Sequence, residues 1–379
     1  MSAIPSYRLS TSPGKGLGLF AARPIAVGEL IISERPLFLA RDEWEIYEEL
    51  AELSMRDEET FFALTDSHNP EHPTAATIML TNGIPTDPQI NQGGIFPIIC
   101  RINHSCLPNS HYTWSPSARR MSVYADADIP EGAEIVVSYI RPLLARSDRQ
   151  AQLWESFNFA CGCSACTGPP DPVSDSRRER IYELYSLVGM AMQYEMHVAG
   201  MQYTKERLRL MDEEGMGHLS TRSNCHGAGY VMAQEASDLD TARRHFAQSY
   251  AYALLGEGPD SEETTGRLRR YLSWRLNVER KIGRVDTLPV ICDRCGREGH
   301  RSLGETGGRG KDGGNRKGSE AAVAVGGGFV EHICECGSAV YCSNACRTNH
   351  ASTHQAVCEV LRETGMIALM MEGRWEVHG

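Results

Sequence analysis

No run of roughly 18 apolar residues occurs in the sequence, so no segment is built to cross a bilayer as a helix. Positive charge is in short supply as well: 38 Lys and Arg against 49 Asp and Glu leave a net charge of -11. That balance has the wrong sign for holding a phosphate backbone, so direct nucleic-acid binding is disfavoured and a basic protein partner is permitted. The opening MSAIPSYRLSTSPGKG lacks the cationic stretch and apolar run of a secretory signal, and the cysteine spacing lacks the pattern of a small secreted disulfide scaffold. The expectation is an intracellular protein, nuclear or cytoplasmic, with no membrane contact. What is present, 41% hydrophobic and 23% charged residues over 379 positions, is the composition of a globular chain of two or three domains.

Periodicity changes along the chain. From Arg8 to Leu39 short apolar alternations punctuated by Gly and Pro predict strands and turns. Trp44, Tyr47, Leu50 and Leu53, then Phe61, Phe62 and Leu64, recur at helical spacing, and a third short helix is expected over Ala75 to Leu80. Strands return at Met121 to Tyr124 and Glu134 to Tyr139, parted by the turn Ile129-Pro130-Glu131-Gly132. The segment TGPPDPVSD breaks all periodicity and marks a boundary, after which the chain is helical, with Ile181, Leu184, Tyr185 and Val188 on one stripe. Leu239, Ala242, Phe246, Tyr250 and Leu254 form another, consistent with a tetratricopeptide-type helix array or an irregular bundle. Gly304 to Gly328 is too rich in glycine for a packed element and reads as a flexible loop.

Ten of the 13 cysteines fall into two short-spaced groups, which in a reducing compartment bind metal; of the other three, Cys106 lies within RINHSCLPNS, and Cys100 and Cys225 stand apart as small buried hydrophobes. Cys161, Cys163 and Cys166 are spaced C-x-C-x-x-C, one ligand short of a tetrahedral zinc. Further on, Cys292, Cys295, Cys334, Cys336, Cys342, Cys346 and Cys358 with His354 make eight ligands, enough for two more.

The segments GKGLGLF (Gly14 to Phe20), RINHSCLPNS (Arg101 to Ser110) and GAEIVVSYI (Gly132 to Ile140), in this order, resemble the SET-domain protein lysine methyltransferases. The resemblance implies an α+β fold with two threaded motifs and S-adenosylmethionine as cofactor. It implies cofactor contacts from Lys15, Gly16, Leu17, Gly18, Asn103, His104 and Tyr139, with Tyr139 as the catalytic tyrosine. Glycines let a backbone approach a ligand closely, and Asn and His offer fixed polar contacts. By the same resemblance Cys106 is the fourth ligand of the post-SET zinc. Leu153, Phe157 and Phe159 match the aromatic lead-in of the SET-and-MYND branch, where the last aromatic stacks on adenine.

The run Tyr341-Cys342-Ser343 with its neighbours resembles a MYND finger, whose interleaved pairing implies Cys292, Cys295, Cys342 and Cys346 on one zinc and Cys334, Cys336, His354 and Cys358 on the other. Its second pair is C-x-C, Ala351 stands at the usual tryptophan, and the finger follows the helical region instead of interrupting the SET domain. The organisation expected is a SET domain over 1–140 with a helical insertion at 41–94, a post-SET zinc segment at 141–170 and a helical TPR-like region at 171–286. A MYND-like finger spans 287–360, with its Gly-rich insert at 304–328, and a tail follows at 361–379. The function implied is S-adenosylmethionine-dependent methylation of a lysine in a histone or another intracellular protein, with two to three zinc ions and a peptide partner at the finger. The alternative is a non-catalytic adaptor that binds partners in transcriptional regulation; intact Asn103, His104 and Tyr139 argue against it.

Overall fold

The computed structural model describes residues 5–259, 261–268 and 270, together with short strand segments at 289–291, 298–300, 322–325, 329–333 and 340–341. Two compact units divide the chain: Met1–Tyr182 with Glu214–Leu219 and Leu254–Ser261, and Glu183–Glu213 with Ser220–Ala253 and the described residues from Glu262 on. Among the described residues no helix is long and apolar enough to cross a membrane.

The first unit is built on three small sheets. β1 (Tyr7–Ser12) and β2 (Gly16–Ala21) form a hairpin, and β10 (Glu134–Val137) pairs antiparallel with β2. On its other edge β10 runs parallel to β7 (Asn103–His104), so that Val136 faces Asn103 and Val137 faces His104. A second sheet has the order β3 (Leu30–Glu34), β9 (Arg120–Ala125), β8 (Ser110–Ser115). Alternation along β9 sends Met121, Val123 and Ala125 into a shared core with Leu19, Ile32, Ile102, Ile135 and Val137.

The third sheet, β4 (Phe38–Ala40), β6 (Gln92–Ile95) and β5 (Ile84–Asp87), closes the helical insertion. Its helices are α1 (Glu43–Ala51), α2 (Met55–Phe62) and α3 (Ala75–Asn82), with Asp42, Ser54 and Thr74 as N-caps whose side chains accept from the first turn. A separate core of Phe38, Ile46, Phe61, Leu64, Ile78 and Ile95 holds them. The expected stripe on α1 holds at its end and fails at its start: Leu50, and Leu53 just beyond the helix, pack against this core. Ile46 is the buried residue, whereas Trp44 (72% exposed) and Tyr47 (50%) face outward, because two apolar series share this helix and the insertion core takes the aliphatic one.

α4 (Arg146–Phe157) leads to the cysteine segment, and α5 (Pro172–Gln193), α6 (His197–Glu213), α7 (Leu219–Glu235) and α8 (Leu239–Glu257) follow. Ile181, Leu184 and Val188 are buried as the stripe requires, but Tyr185 lies on the outer side at 60% exposure, with the Arg207 guanidinium 5.1 Å above its ring. In the second unit Ala242, Phe246, Ala247 and Ala251 of α8 are buried, and the ring nitrogens of His226 and His245 meet at 3.0 Å.

Beyond residue 270 the described segments are β11 (Pro289–Ile291) paired with β12 (Glu298–His300), and β13 (Ala322–Val325), β14 (Phe329–Ile333) and β15 (Val340–Tyr341) in one antiparallel sheet. β13 falls within the stretch read as a loop. Its four residues, AVAV, contain no glycine and have the small and β-branched character that strands accept. The ligand residues Cys292, Cys295, Cys334, Cys336, Cys342, Cys346, His354 and Cys358 lie outside the described residues.

Candidate active site and metal centre

The glycine turn joins β1 to β2. Lys15 N–H donates to Ser12 O at 3.0 Å, and Gly16 has a φ of +79°, a region that L side chains rarely adopt. Nothing lies within 4 Å of where a Gly16 Cβ would stand, so the turn presents bare backbone to open space. Gly18 is the opposite case: a Cβ there would come within 2.8 Å of both Asn103 Nδ2 and Glu134 Oε1. With Ser12 Cβ 3.2 Å away as well, any larger residue there would have to displace the Asn103 and Glu134 side chains.

The parallel contact of β7 with β10 brings the second and third motifs together. Asn103 Nδ2 donates to Leu17 O at 3.0 Å and to Glu134 Oε1 at 2.8 Å. His104 is buried, and both its ring nitrogens are engaged: Nδ1 accepts from the Tyr139 N–H at 3.0 Å and Nε2 lies 3.3 Å from Cys106 Sγ. Burial pushes its pKa down to about 4, so the ring is neutral near pH 7, with Nε2 carrying the proton. Its imidazole therefore ties the end of the third motif to the cysteine cluster, and what His104 leaves for a ligand is its main chain. Of the two neighbours that occupy the ring, Cys106 is near in sequence and Tyr139 comes from the third motif, a pairing that spacing does not reveal.

Tyr139 follows β10, which ends two residues earlier than the expected strand. Its hydroxyl donates to Ile102 O at 2.6 Å, and its ring stands 5.4 Å from His104, 5.0 Å from Phe157 and 6.4 Å, edge-on, from Phe159. Burial raises its phenol, with Cys100, Tyr112 and Glu134 adding to the effect, so the hydroxyl stays neutral. Its donated proton faces Ile102, which leaves oxygen lone pairs as acceptors. Phe159 also lies 6.1 Å from the His104 ring. The structure thus links Lys15, Gly16, Leu17, Gly18, Asn103, His104, Tyr139 and Phe159 through neighbouring strands, Asn103 meeting Leu17 O and the His104 ring meeting Tyr139 and Phe159.

Cys106, Cys161, Cys163 and Cys166 place their four sulfurs within 4.8 Å of one another, with Cys106 to Cys166 at 3.5 Å and Cys106 to Cys161 at 4.0 Å. A tetrahedral zinc at roughly 2.3 Å from each thiolate needs sulfur pairs roughly 3.8 Å apart, so the set fits. Gln150 grips the main chain of Cys161 from both sides, donating to its carbonyl and accepting from its N–H, each at 2.8 Å. Arg149, fully buried, donates to Leu144 O at 2.6 Å and Ala165 O at 3.1 Å, with Nη2 4.0 Å from Cys166 Sγ. Arg178, also buried, donates to Pro142 O at 2.6 Å and to Cys106 O at 3.4 Å. Four thiolates around a divalent ion carry net negative charge, and the Arg149 guanidinium stands where that charge needs compensation, whereas Arg178 is paired with the Glu214 carboxylate at 3.1 Å.

Sequence reasoning missed four of these residues. Glu134, Arg149, Gln150 and Arg178 carry no spacing signal, since a lone polar side chain on a strand or helix reads as a surface residue. Cys100 packs against two of the first unit's cores, donating to Asn82 O at 3.1 Å, and Cys225 is buried.

Comparison with known proteins agrees with the motif resemblance. Residues 16–140 match the SET domain family. The chain is 33% identical over 179 residues to histone-lysine N-methyltransferase set5 of Schizosaccharomyces pombe, covering 46% of this chain and 56% of that protein. It is 40% identical over 91 residues to N-lysine methyltransferase SMYD2-B of Danio rerio, covering 24% of this chain and 20% of that one. Human N-lysine methyltransferase SMYD2 is 38% identical over 73 residues, covering 19% and 16%. The chain thus spans about half of the first relative and a fifth or less of the other two. Residues 16–140, the stretch that matches the SET domain family, hold Gly16 to Gly18, the Asn103-His104 pair and Tyr139, and the chain's similarity extends to proteins named lysine methyltransferases.

Proposed function

We propose that this chain is an S-adenosylmethionine-dependent protein-lysine N-methyltransferase, acting on a histone or another intracellular protein in the nucleus or cytoplasm. The observation that carries the reading is that the adjacent strands β2, β10 and β7 bring together an open glycine turn, the Asn103 amide and the Tyr139 segment.

When bound, S-adenosylmethionine supplies a sulfonium methyl group that is electrophilic without acid catalysis. The open backbone at Gly16 gives room for its amino-acid end, Lys15 a cation for the carboxylate, and the Phe159 ring a face for adenine. The incoming lysine ammonium, with a pKa of roughly 10.4 in water, has to lose its proton before nitrogen can attack. The apolar walls of Tyr139, Phe157 and Phe159 disfavour the charged amine by desolvation. The Tyr139 hydroxyl, its own proton donated to Ile102 O, accepts from the amine N–H and points the nitrogen lone pair at the methyl carbon. Because burial keeps the phenol protonated, this group orients the amine and takes no proton from it.

The Cys106, Cys161, Cys163 and Cys166 centre would hold a structural zinc that pins the Phe159 segment beside Tyr139, which supports the adenine role. The α5 to α8 helices are proposed as a TPR-like array, and the eight C-terminal ligands as a displaced MYND-like finger that offers a peptide partner a surface and brings the zinc total to two or three. The deciding experiment is transfer of a labelled methyl group from S-adenosylmethionine to histones and to a panel of intracellular proteins, read by mass spectrometry with a Tyr139→Phe control. A wild-type chain inactive on every lysine-bearing substrate would leave the adaptor reading in its place.

A further inference from the structure

Glu134 opens β10, and three donors from three separate segments close on its carboxylate. Ser12 Oγ at the end of β1 donates to Oε1 at 2.8 Å, Asn103 Nδ2 in β7 donates to the same oxygen at 2.8 Å, and Lys15 Nζ in the glycine turn donates to Oε2 at 3.0 Å. Burial would raise this carboxyl, but the bonds from Asn103, Lys15 and Ser12 outweigh it and hold the group below the usual carboxylate range. The hub is therefore a charged acceptor at the pH of the cell, and it is packed: a methyl group added at Gly18 would strike both Asn103 Nδ2 and Glu134 Oε1.

The chemistry of the two acceptors around Asn103 fixes its amide. A carboxylate oxygen and the Leu17 carbonyl can only accept, so nitrogen must be the atom that faces them, and both of its hydrogens are spent. The remaining polar atom, Oδ1, is a pure acceptor. Were the amide to turn over, Oδ1 would meet two acceptors at hydrogen-bond distance, which costs more than the bond itself is worth. An acceptor held in one place selects a donor, and a primary ammonium is the strongest donor that fits.

We propose that Glu134 is a positioning residue that locks the Asn103 amide, so that the site prefers a cofactor with a free α-amino group. The inference rests on the cofactor reading above and goes one step further, since it assigns a selectivity to a residue that need not touch the ligand.

Calorimetric titration of the full chain with S-adenosylhomocysteine and with its analogue lacking the α-amino group tests it. The wild type should prefer the amino ligand by about tenfold to a hundredfold, the range of one charged hydrogen bond. Glu134→Ala should abolish that preference by weakening S-adenosylhomocysteine alone, with the deaminated ligand changed less than about threefold. In turnover assays the loss should appear in KM for the cofactor and leave kcat at saturation near wild type. Glu134→Gln, whose carbonyl still accepts from Asn103 and Ser12, should keep most of the preference although Lys15 is released. Equal weakening of both ligands by Glu134→Ala would mean a merely structural role and overturn the lock, as would a Gln variant that behaves like Ala. Should the Ala variant fail to fold, the wild type alone decides through its Asn103 side-chain amide protons. Two protons slow to exchange by NMR support the lock, and a rapidly exchanging pair refutes it. A wild type that binds neither ligand removes the cofactor reading itself, a result distinct from a wild type that binds both without preference.

Discussion

Replacing Tyr139 by Phe deletes one oxygen and keeps everything else the ring does. The contacts with His104, Phe157 and Phe159 depend on the ring, and the backbone N–H that His104 Nδ1 accepts is unchanged. The only bond lost is the 2.6 Å donation to Ile102 O. A neutral hydrogen bond of this kind contributes about 1 kcal/mol, so unfolding of the first unit should shift by only about 2–4 °C. The rate should respond far more. If the hydroxyl oxygen orients the amine in the transition state, kcat should fall about a hundredfold or more, the scale for loss of one preorganised polar contact. The assay pairs calorimetry of S-adenosylhomocysteine binding with single-turnover methyl transfer on the same preparation. Near-normal affinity with nearly absent transfer is the expected outcome. Wild-type turnover in the Phe variant would take Tyr139 out of the mechanism, and a parallel collapse of affinity and stability would make the hydroxyl a structural anchor only.

Elemental analysis of protein made with adequate zinc should give two to three ions per chain, and Cys163→Ser should lose one of them and weaken cofactor binding, because ligand loss releases the segment beside Tyr139; unchanged affinity would refute that placement. Gly18→Ala should destabilise the first unit by about 1–3 kcal/mol and weaken S-adenosylhomocysteine at least tenfold, since the new methyl group meets a pinned amide and carboxylate; a variant that binds like wild type would show the contact to be soft. A pH effect is expected at His111, whose Nδ1 lies 3.0 Å from Asp126 and whose Nε2 lies 2.9 Å from Gly256 O, so that both nitrogens face acceptors. Burial would lower His111, but Asp126 and Gly256 outweigh it and raise the pKa; burial would raise Asp126, but His111, His218 and the Leu219 N–H lower it. The pair's contribution is therefore complete between the ordinary Asp and His values, about pH 4 to 6.5, and fades as pH rises through the raised His111 pKa. Denaturant unfolding at pH 6 and pH 9 should show the stability gap between wild type and His111→Ala, roughly 3 kcal/mol, narrowing at the higher pH; a constant gap would refute the charged pair.

Local patterns made much of the site legible. The glycine turn, the Asn103-His104 pair, Tyr139 and the C-x-C-x-x-C run are each contiguous or nearly so, and their chemistry is tied to residue type. The residues that organise them were not legible, because their meaning lies in partners far along the chain: Glu134 is more than a hundred residues from Ser12 and Lys15, and Arg149 on α4 looks like any solvated helix charge until its burial is seen. The helices of the insertion were readable, and Leu50, Leu53, Phe61 and Leu64 do pack on its core, but Trp44 and Tyr47 fit the helical period as well as Ile46 does and face outward. Tyr185 misleads in the same way. An apolar period says that a face exists, and only the packing partner chooses which one.

The hairpin-like pairing of Phe38 with Ile95 has a bearing on how such chains can change. The 56 residues between them leave and return through one pair of hydrogen-bonded neighbours, and they carry a core of their own. Because the closing pair is formed by β4 and β6, the cost of joining the two ends does not fall on the glycine turn or on β7. Residues can be added to or taken from the loop between α1 and α2 with only a logarithmic penalty in closure entropy. The loop between α2 and α3 is tied down, because His68 Nε2 lies 3.2 Å from Ser156 O and Asn158 Nδ2 donates to Ser67 O at 3.0 Å, on either side of Phe157. In evolutionary terms the insertion behaves as a cassette with one fixed seam, free to diverge in length and surface away from the loop that meets the Phe157 segment.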